Sequence, residues 1–389
     1  MIKQLFYFIS ASIPIGILCL SNVFSSPPPQ STDKQVAGHT VIKRLIENKS
    51  TNASNLRFPR IIYQDQKGLF WIGTGSGLYT YNEDQEKWTI LNDVPGLEFL
   101  MRAQRVIQDK ADRIWVQAAT EPNLSYFDGQ GWNTIYKLNP PAPLKEASPI
   151  FVGLDSKLWF FLGHSLIAFD GNRWTSLFEL PSTIRDSYSR MPMSYRNRRE
   201  EMIDRIRNKL RETDKAEKEP AFEVGQFPVG LQDREGIIWL GGRKAVIRFE
   251  PVKRDWRILQ LPDNLVEVYG IYEGRDGRIW LADSNGHISV YDKKKDKWLT
   301  YDIVKEAKIR IRDEEDSSFY IDAIYQDKQG QMMLGSELGL ITFTEAENRG
   351  QVYTFTNSGL PGGDITAIYE DKLGRIWVGT SRGVIVLEQ

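Results

Sequence analysis

From about residue 57 to residue 389 the chain alternates short apolar runs with tight polar turns. In the closing stretch, Arg375-Ile376-Trp377-Val378, successive side chains belong to opposite faces, which is the two-residue period of a β-strand. The same template recurs along the chain: a polar turn containing Asp, an apolar strand around Trp, a small turn, and a strand ending near Tyr or Phe. The copies are 63–81, 107–127, 152–169, 231–249, 272–291, 325–343 and 369–387. Trp occupies the centre at 71, 115, 159, 239, 280 and 377, and Met333 replaces it in the sixth copy. A period of 44 residues separates 71 from 115, 115 from 159, and 333 from 377.

A second aromatic follows each of the first six copies, at Trp88, Trp132, Trp174, Trp256, Trp298 and Tyr353, and opens one more apolar run. The template thereby places all 11 tryptophans of the chain. Each unit reads as four short antiparallel strands, a to d, and such units at this period are blades of a β-propeller. The expected fold is all-β: a seven-bladed β-propeller of four-stranded antiparallel blades, closed by an N-terminal strand, with one helical insertion. The indoles are core between blades. The turn pairs Asp65 with Gly68, Asp233 with Gly236, and Asp371 with Gly374 supply hydrogen bonding and positive φ to the a–b hairpin. Gly73-x-Gly75-x-Gly77 joins two strands, opens no helix and reads as a hairpin turn, not a phosphate loop. The seventh copy lacks strand d, and Val41-Ile42-Lys43-Arg44-Leu45 has the length and character to supply it, removing an open sheet edge.

Two stretches break the pattern. Residues 182–220 hold 11 Lys/Arg and 8 Asp/Glu, and 195–213 reads as a helix with a narrow stripe of Met202, Ile203, Ile206 and Leu210. One reading of it is a solvated helix on the propeller rim; the other is a partner-docking or membrane-surface helix, the latter weakened by the many acids among the bases. Residues 1–25 have one charge, Lys3, then an apolar run from Leu5 to Leu20 and small polar residues, the order of a secretory signal peptide. An uncleaved anchor is the alternative. Residues 26–34 read as a flexible, polyproline-biased spacer, which leaves 35–389 for the propeller. The expected location is periplasmic or secreted from a bacterium, or membrane-anchored through the N-terminal segment. The single cysteine, Cys19, lies in that segment, so a processed chain has no disulfide.

The D-x-x-G-x-x-W turn, the following Gly-Thr and the Gly-Leu-x-x-Tyr ending resemble the repeats of the two-component-regulator propeller family. Asp371, Gly374, Trp377, Gly379, Thr380 and Gly383 carry that resemblance in the last copy, as do Asp65, Gly68, Trp71, Gly73, Thr74, Gly77, Leu78 and Tyr81 in the first. Asn357-Ser358-Gly359-Leu360-Pro361 is similar to the family's inter-blade loop. The resemblance implies the periplasmic sensor half of a membrane-bound hybrid histidine kinase, often with carbohydrate ligands. This chain stops at Gln389 without the Ig-like domain, second span, kinase or receiver of that family, so what the resemblance implies here is binding.

The formal net charge of -1 argues against a globally basic nucleic-acid binder. His39, His164 and His287 lie on different segments with no ligand spacing, no nucleophile motif appears, and neither metal nor cofactor is expected. Ligand sites in propellers lie where the d–a and b–c loops meet over the channel. The candidates there are Arg60, His164, Arg243, Lys244, Asp283, Asn285, Glu337 and Arg382, a mixture suited to a polar small molecule, a glycan or a partner protein. The favoured reading is an exported, non-catalytic, monomeric ligand-binding or sensor/interaction module. The alternatives are an enzyme of the streptogramin-lyase kind, which needs a general base and a metal-supported electrophile and has only His164 and His287 on suitable loops, and a protein–protein scaffold.

Overall fold

A computed structural model describes residues 35–37, 39–45, 56–91, 97, 100, 102–118, 124–134, 148–162, 165–179, 229–242, 245–262, 268–283, 286–307 and 320–388. All lie within one compact unit, Asp33–Gln389. The strands form seven antiparallel sheets, six of them four-stranded meanders in chain order and one of five strands that joins two N-terminal strands to the last three of the chain. Strand a of successive blades is Ile61–Gln64, Ala103–Gln108, Ser148–Val152, Val229–Gln232, Val268–Glu273, Ile321–Gln326 and Ile365–Glu370. Each contacts strand a of the blades on either side, so the seven close a ring around a central axis.

The seventh sheet is completed from the N-terminus. Strand His39–Leu45 pairs antiparallel with the last strand, Gly383–Glu388, placing Val41 opposite Leu387 and Leu45 opposite Val384. The short strand Gln35–Val36 pairs on its outer side as a fifth member. Closure by residues 41–45 is therefore as the repeat arithmetic requires. The charged insertion 182–220 and its helix lie outside the described residues. Among those described, helix is confined to the turn Ile303–Glu306, capped by Asp302 through the N–H of Lys305, and a 3-10 turn at Glu345–Glu347.

The core lies between blades, because a blade buries both faces against its neighbours. Strand b of blade 7, Ile376–Thr380, is buried throughout. Its Trp377 stacks on Phe70 of blade 1 with ring centroids 3.8 Å apart. Trp115 of blade 2 meets Phe169 of blade 3 at 5.9 Å, and Trp239 of blade 4 meets Tyr291 of blade 5 at 5.5 Å. The second tryptophans cover the aromatic that ends strand c: Trp88 lies 4.5 Å from Tyr81, and Trp174 lies 4.5 Å from Phe169. In blades 1 and 6 a glycine stands two residues after the central Trp71 or Met333, where the next blade comes close. A Cβ on Gly73 would meet the Ala103 carbonyl oxygen at 2.6 Å, and one on Gly335 would meet that of Ile365 at 2.7 Å.

Candidate functional site: the channel mouth

The two ends of the ring differ in what their side chains are occupied with. At the a–b end, Asp371 Oδ1 accepts the backbone N–H groups of Leu373 and Arg375, both at 2.9 Å, and its Oδ2 accepts the Trp377 indole N–H at 2.8 Å. The same bonds recur at Asp65 with Trp71, Asp109 with Trp115, and Asp233 with Trp239. Gly68, Gly236 and Gly374 close these turns at φ of 87°, 85° and 80°. Blades 3 and 5 depart from the expected template. Their aspartates, Asp155 and Asp276, stand two residues later, and Gly153 and Gly274 take the Asp position. The buried indole N–H groups of Trp159 and Trp280 accordingly have no protein acceptor among the described residues.

This end also carries latches between blades. The side chain that ends strand a accepts a backbone N–H from the turn of the preceding blade: Gln64 from Lys372 at 3.1 Å, Gln108 from Gln66 at 2.8 Å, and Gln232 from Leu154 at 2.8 Å. Glu273 does so from Arg234 at 2.9 Å and Gln326 from Arg275 at 2.7 Å. Arginines add cross-ties. Arg375 bridges Asp371 to Glu83 of blade 1, and Arg278 bridges Asp276 to Glu345 of blade 6. These carboxylates hold both guanidiniums above the ordinary arginine value. Side chains spent in this way leave little for a ligand.

The d–a and b–c end is built otherwise. In blades 2, 5, 6 and 7 the register of strands a and b slips at one equivalent point, with an extra residue on strand a: Gln104, Tyr269, Asp322 and Thr366. A bulge unpairs one residue and re-aims it, and bulges gather at barrel rims and beside active sites. Arg60 holds the equivalent place in blade 1, just ahead of its strand. One ring position around the axis therefore carries a cation, an amide, a phenol, a carboxylate and a hydroxyl.

Local geometry separates the sequence candidates. Arg60 and Glu337 stand at this mouth with Asp322 and Asp364. Asp322 still meets solvent, yet the wall around it desolvates its carboxyl and holds it above the ordinary value of 3.8; Arg60 pulls it down and Asp364 pushes it up. Glu337 is raised for the same reason, with Asp364 and Asp322 adding to the shift. A cavity of about 310 Å³ opens beside them, lined by Arg57, Phe58, Arg60, Gly75 and Ser76. Phe58 is 46% exposed and held at φ 51°, a left-handed conformation costly for a bulky side chain. Arg382 lies over the exposed ring of Phe355, 5.2 Å from its centroid. Asp283 is spent locally: its Oδ1 accepts the His287 N–H at 2.8 Å and its Oδ2 meets His287 Nδ1 at 3.3 Å, which raises the imidazole. His164, Arg243, Lys244 and Asn285 lie outside the described residues.

Sequence reasoning passed over Asp322, Asp364, Tyr269, Gln104 and Arg105. Arg105 stands deeper, in strand a of blade 2, and lines a cleft of about 480 Å³ in the channel. Burial pushes its guanidinium down to about 10.

Residues 359–382 match the sequence model of the family described as two component regulator propeller. The closing repeat is a two component regulator propeller repeat. The solved structure of the extracellular domain of a hybrid two-component system from B. thetaiotaomicron superposes with a TM-score of 0.59 at 16% identity, covering 88% of this chain and 40% of that one. The chain thus spans 40% of the length of that extracellular domain. Virginiamycin B lyase from Staphylococcus aureus, as a catalytically inactive histidine-to-alanine variant with quinupristin, superposes at 0.57 with 14% identity, covering 89% and 97%. YCF48 from Cyanidioschyzon merolae superposes at 0.55 with 13% identity, covering 86% and 96%. No curated protein matches the chain. At these identities the likeness is one of fold.

Proposed function

We propose that this propeller is a non-catalytic binding module, exported from a bacterial cell, that takes a polar ligand or partner at the channel mouth and serves as a sensor or interaction domain. The bulge ring carries the reading. Four blades spend a backbone irregularity at one position, and the side chains placed there all differ, where packing alone would favour one repeated residue. The regulator-propeller repeat and the extracellular origin of a structural relative support an exported sensor. Of the two histidines the lyase alternative needs, only His287 is among the described residues, and its ring meets Asp283 of its own b–c turn at 3.3 Å, within a single blade. His39 belongs to the closing strand. Among the described residues no group of three or more His, Cys, Asp or Glu side chains is placed to hold a metal ion.

The test is a thermal-shift screen of glycans and metabolites on the full chain, repeated with Asp322→Asn and Arg60→Ala. The reading expects a compound that raises the melting temperature saturably, with the shift lost in at least one variant. A screen in which nothing shifts the native chain, while the protein captures a partner unaffected by either substitution, would sink it in favour of a scaffold using another surface.

A further inference from the structure

Exposed apolar side chains gather on one sector of the mouth. Phe58, Tyr320, Leu338 and Phe355 all stand on the d–a and b–c loops of blades 6, 7 and 1, and they include every exposed aromatic among the described residues. The other large exposed hydrophobics, Leu154, Val252, Leu299 and Leu373, lie apart on separate turns and one outer strand. Scattered apolar residues are ordinary on a surface, whereas a gathered patch marks a contact site. The sector is continuous. A Cβ on Gly363 would lie 3.8 Å from the Glu337 carbonyl oxygen, and one on Gly362 would lie 2.9 Å from the Arg382 nitrogen. The Phe58 N–H donates to the Thr380 carbonyl at 3.2 Å, which ties the entry to blade 1 to the same turn. Among these apolar groups stand Asp322, Glu337 and Asp364. Of the arginines, Arg60 faces Asp322, Arg57 lies beside Arg60, and Arg382 covers Phe355. Glu337 has no such base: the wall desolvates it, and the charges acting on it are those of Asp364 and Asp322.

We infer that this sector docks a partner protein through an extended segment that carries a basic side chain between apolar ones, the cation beside Glu337 and Asp364 and the apolar groups against the exposed aromatics. Exposed aromatics with arginines at their edge are the side chains in which protein interfaces are enriched. The unmatched carboxylates select the sign of the partner, since complementary potentials favour a base and repel an acid. A neutral glycan would cover the rings and leave those charges uncompensated. The inference rests on the binding reading above and specifies its partner.

The probe is a library of short peptides randomised at their central positions and selected on the full chain. Selected sequences are expected to place lysine or arginine between apolar residues. Titrated by fluorescence anisotropy, a selected peptide is expected to lose about tenfold in affinity for Glu337→Gln and for Phe355→Ser, and as much when its own base becomes norleucine. Leu373→Ser, at an exposed apolar side chain of the a–b end, is expected to bind like the native chain. Glu337 and Phe355 are both exposed, so their variants are expected to melt no more than a degree or two below the native chain, which separates lost binding from lost folding. Selection of acidic or purely apolar peptides, no selection at all, binding that survives both substitutions, or equal loss in Leu373→Ser overturns the inference. Maltohexaose binding that depends on Phe355, with no basic peptide bound, overturns it in favour of a glycan site. If a compound from the glycan and metabolite screen acts through Asp322 or Arg60 while these peptides fail to bind, the inference alone has failed and the binding module stands.

Discussion

The a–b end of the propeller and its mouth are made by the same seven strands, yet one is repetitive and the other is not. At the a–b end the Asp–Trp bond recurs in four blades and the strand-a latch at five junctions, because those junctions solve the same packing problem. At the mouth the corresponding positions hold Arg60, Gln104, Tyr269, Asp322 and Thr366, and no two share a chemistry. Repetition marks what the fold needs, and its loss marks what the fold does not dictate.

The largest effect tests the closure on which both ends depend. Deleting residues 35–45 strips the last strand of its partner and opens a long apolar edge. The truncated chain is expected to lose cooperative melting in a calorimeter; a normal transition at the native temperature would show that the ring holds without it. Next comes a contrast within the a–b end. Asp371 is buried and accepts two backbone N–H groups, the Arg375 guanidinium and the Trp377 indole. Asp371→Ala is expected to cost about 2–4 kcal/mol in urea unfolding, since it orphans buried donors. Asp276 bonds Arg278 at a half-exposed turn and receives no indole. Asp276→Ala is expected to cost about 0–1 kcal/mol, and equal losses would mean the indole bond contributes little.

A sharper comparison uses two glutamines of one strand. Gln108 latches blade 2 to blade 1 through the Gln66 N–H and bonds Asp112. Gln108→Ala is expected to destabilise by about 1 kcal/mol. Gln104, four residues earlier, is the bulge residue at the mouth. Gln104→Ala is expected to leave urea unfolding nearly unchanged, within about 0.5 kcal/mol. Reversed magnitudes would place the structural constraint at the mouth.

Most of the a–b end was legible in the sequence, because the period of 44 residues and the paired aromatics repeat there. The seven blades and the closing strand followed from the missing fourth strand of the last copy. The latches were half visible: Gln precedes Asp in YQDQKG, IQDKAD, LQDREG and YQDKQG, but only the stagger between blades shows that the amide reaches the neighbouring turn. The shifted aspartates of blades 3 and 5 were visible as Gly153 and Gly274 yet passed as ordinary turns. The bulges were not legible, since the inserted residues, Gln104, Tyr269, Asp322 and Thr366, share no residue type that would mark the position along the strand. Arg105 left a trace, a charge inside the strand Ala103–Gln108, whose meaning needs the other six strands beside it.

The smallest predicted effect separates the two ends by sign. Substitutions at the a–b end remove favourable interactions, so they destabilise. Asp322 is raised above its ordinary value by desolvation, so the folded chain binds its proton more tightly than the unfolded chain does. Its contribution to stability therefore falls as pH rises from the ordinary 3.8 through the folded value, and above that the ionised carboxylate remains a fixed cost. Asp322→Asn is expected to melt at the same temperature as the native chain near pH 3.5 and a degree or two higher at pH 7, in paired thermal scans. Glu337, raised in the same direction, is expected to behave alike on substitution by Gln. A carboxylate that weakens the fold it sits in is kept for something other than folding, the usual cost of a binding position. If Asp322→Asn melts lower at pH 7, Asp322 belongs with the structural carboxylates of the other end, and the mouth loses its best claim to a ligand.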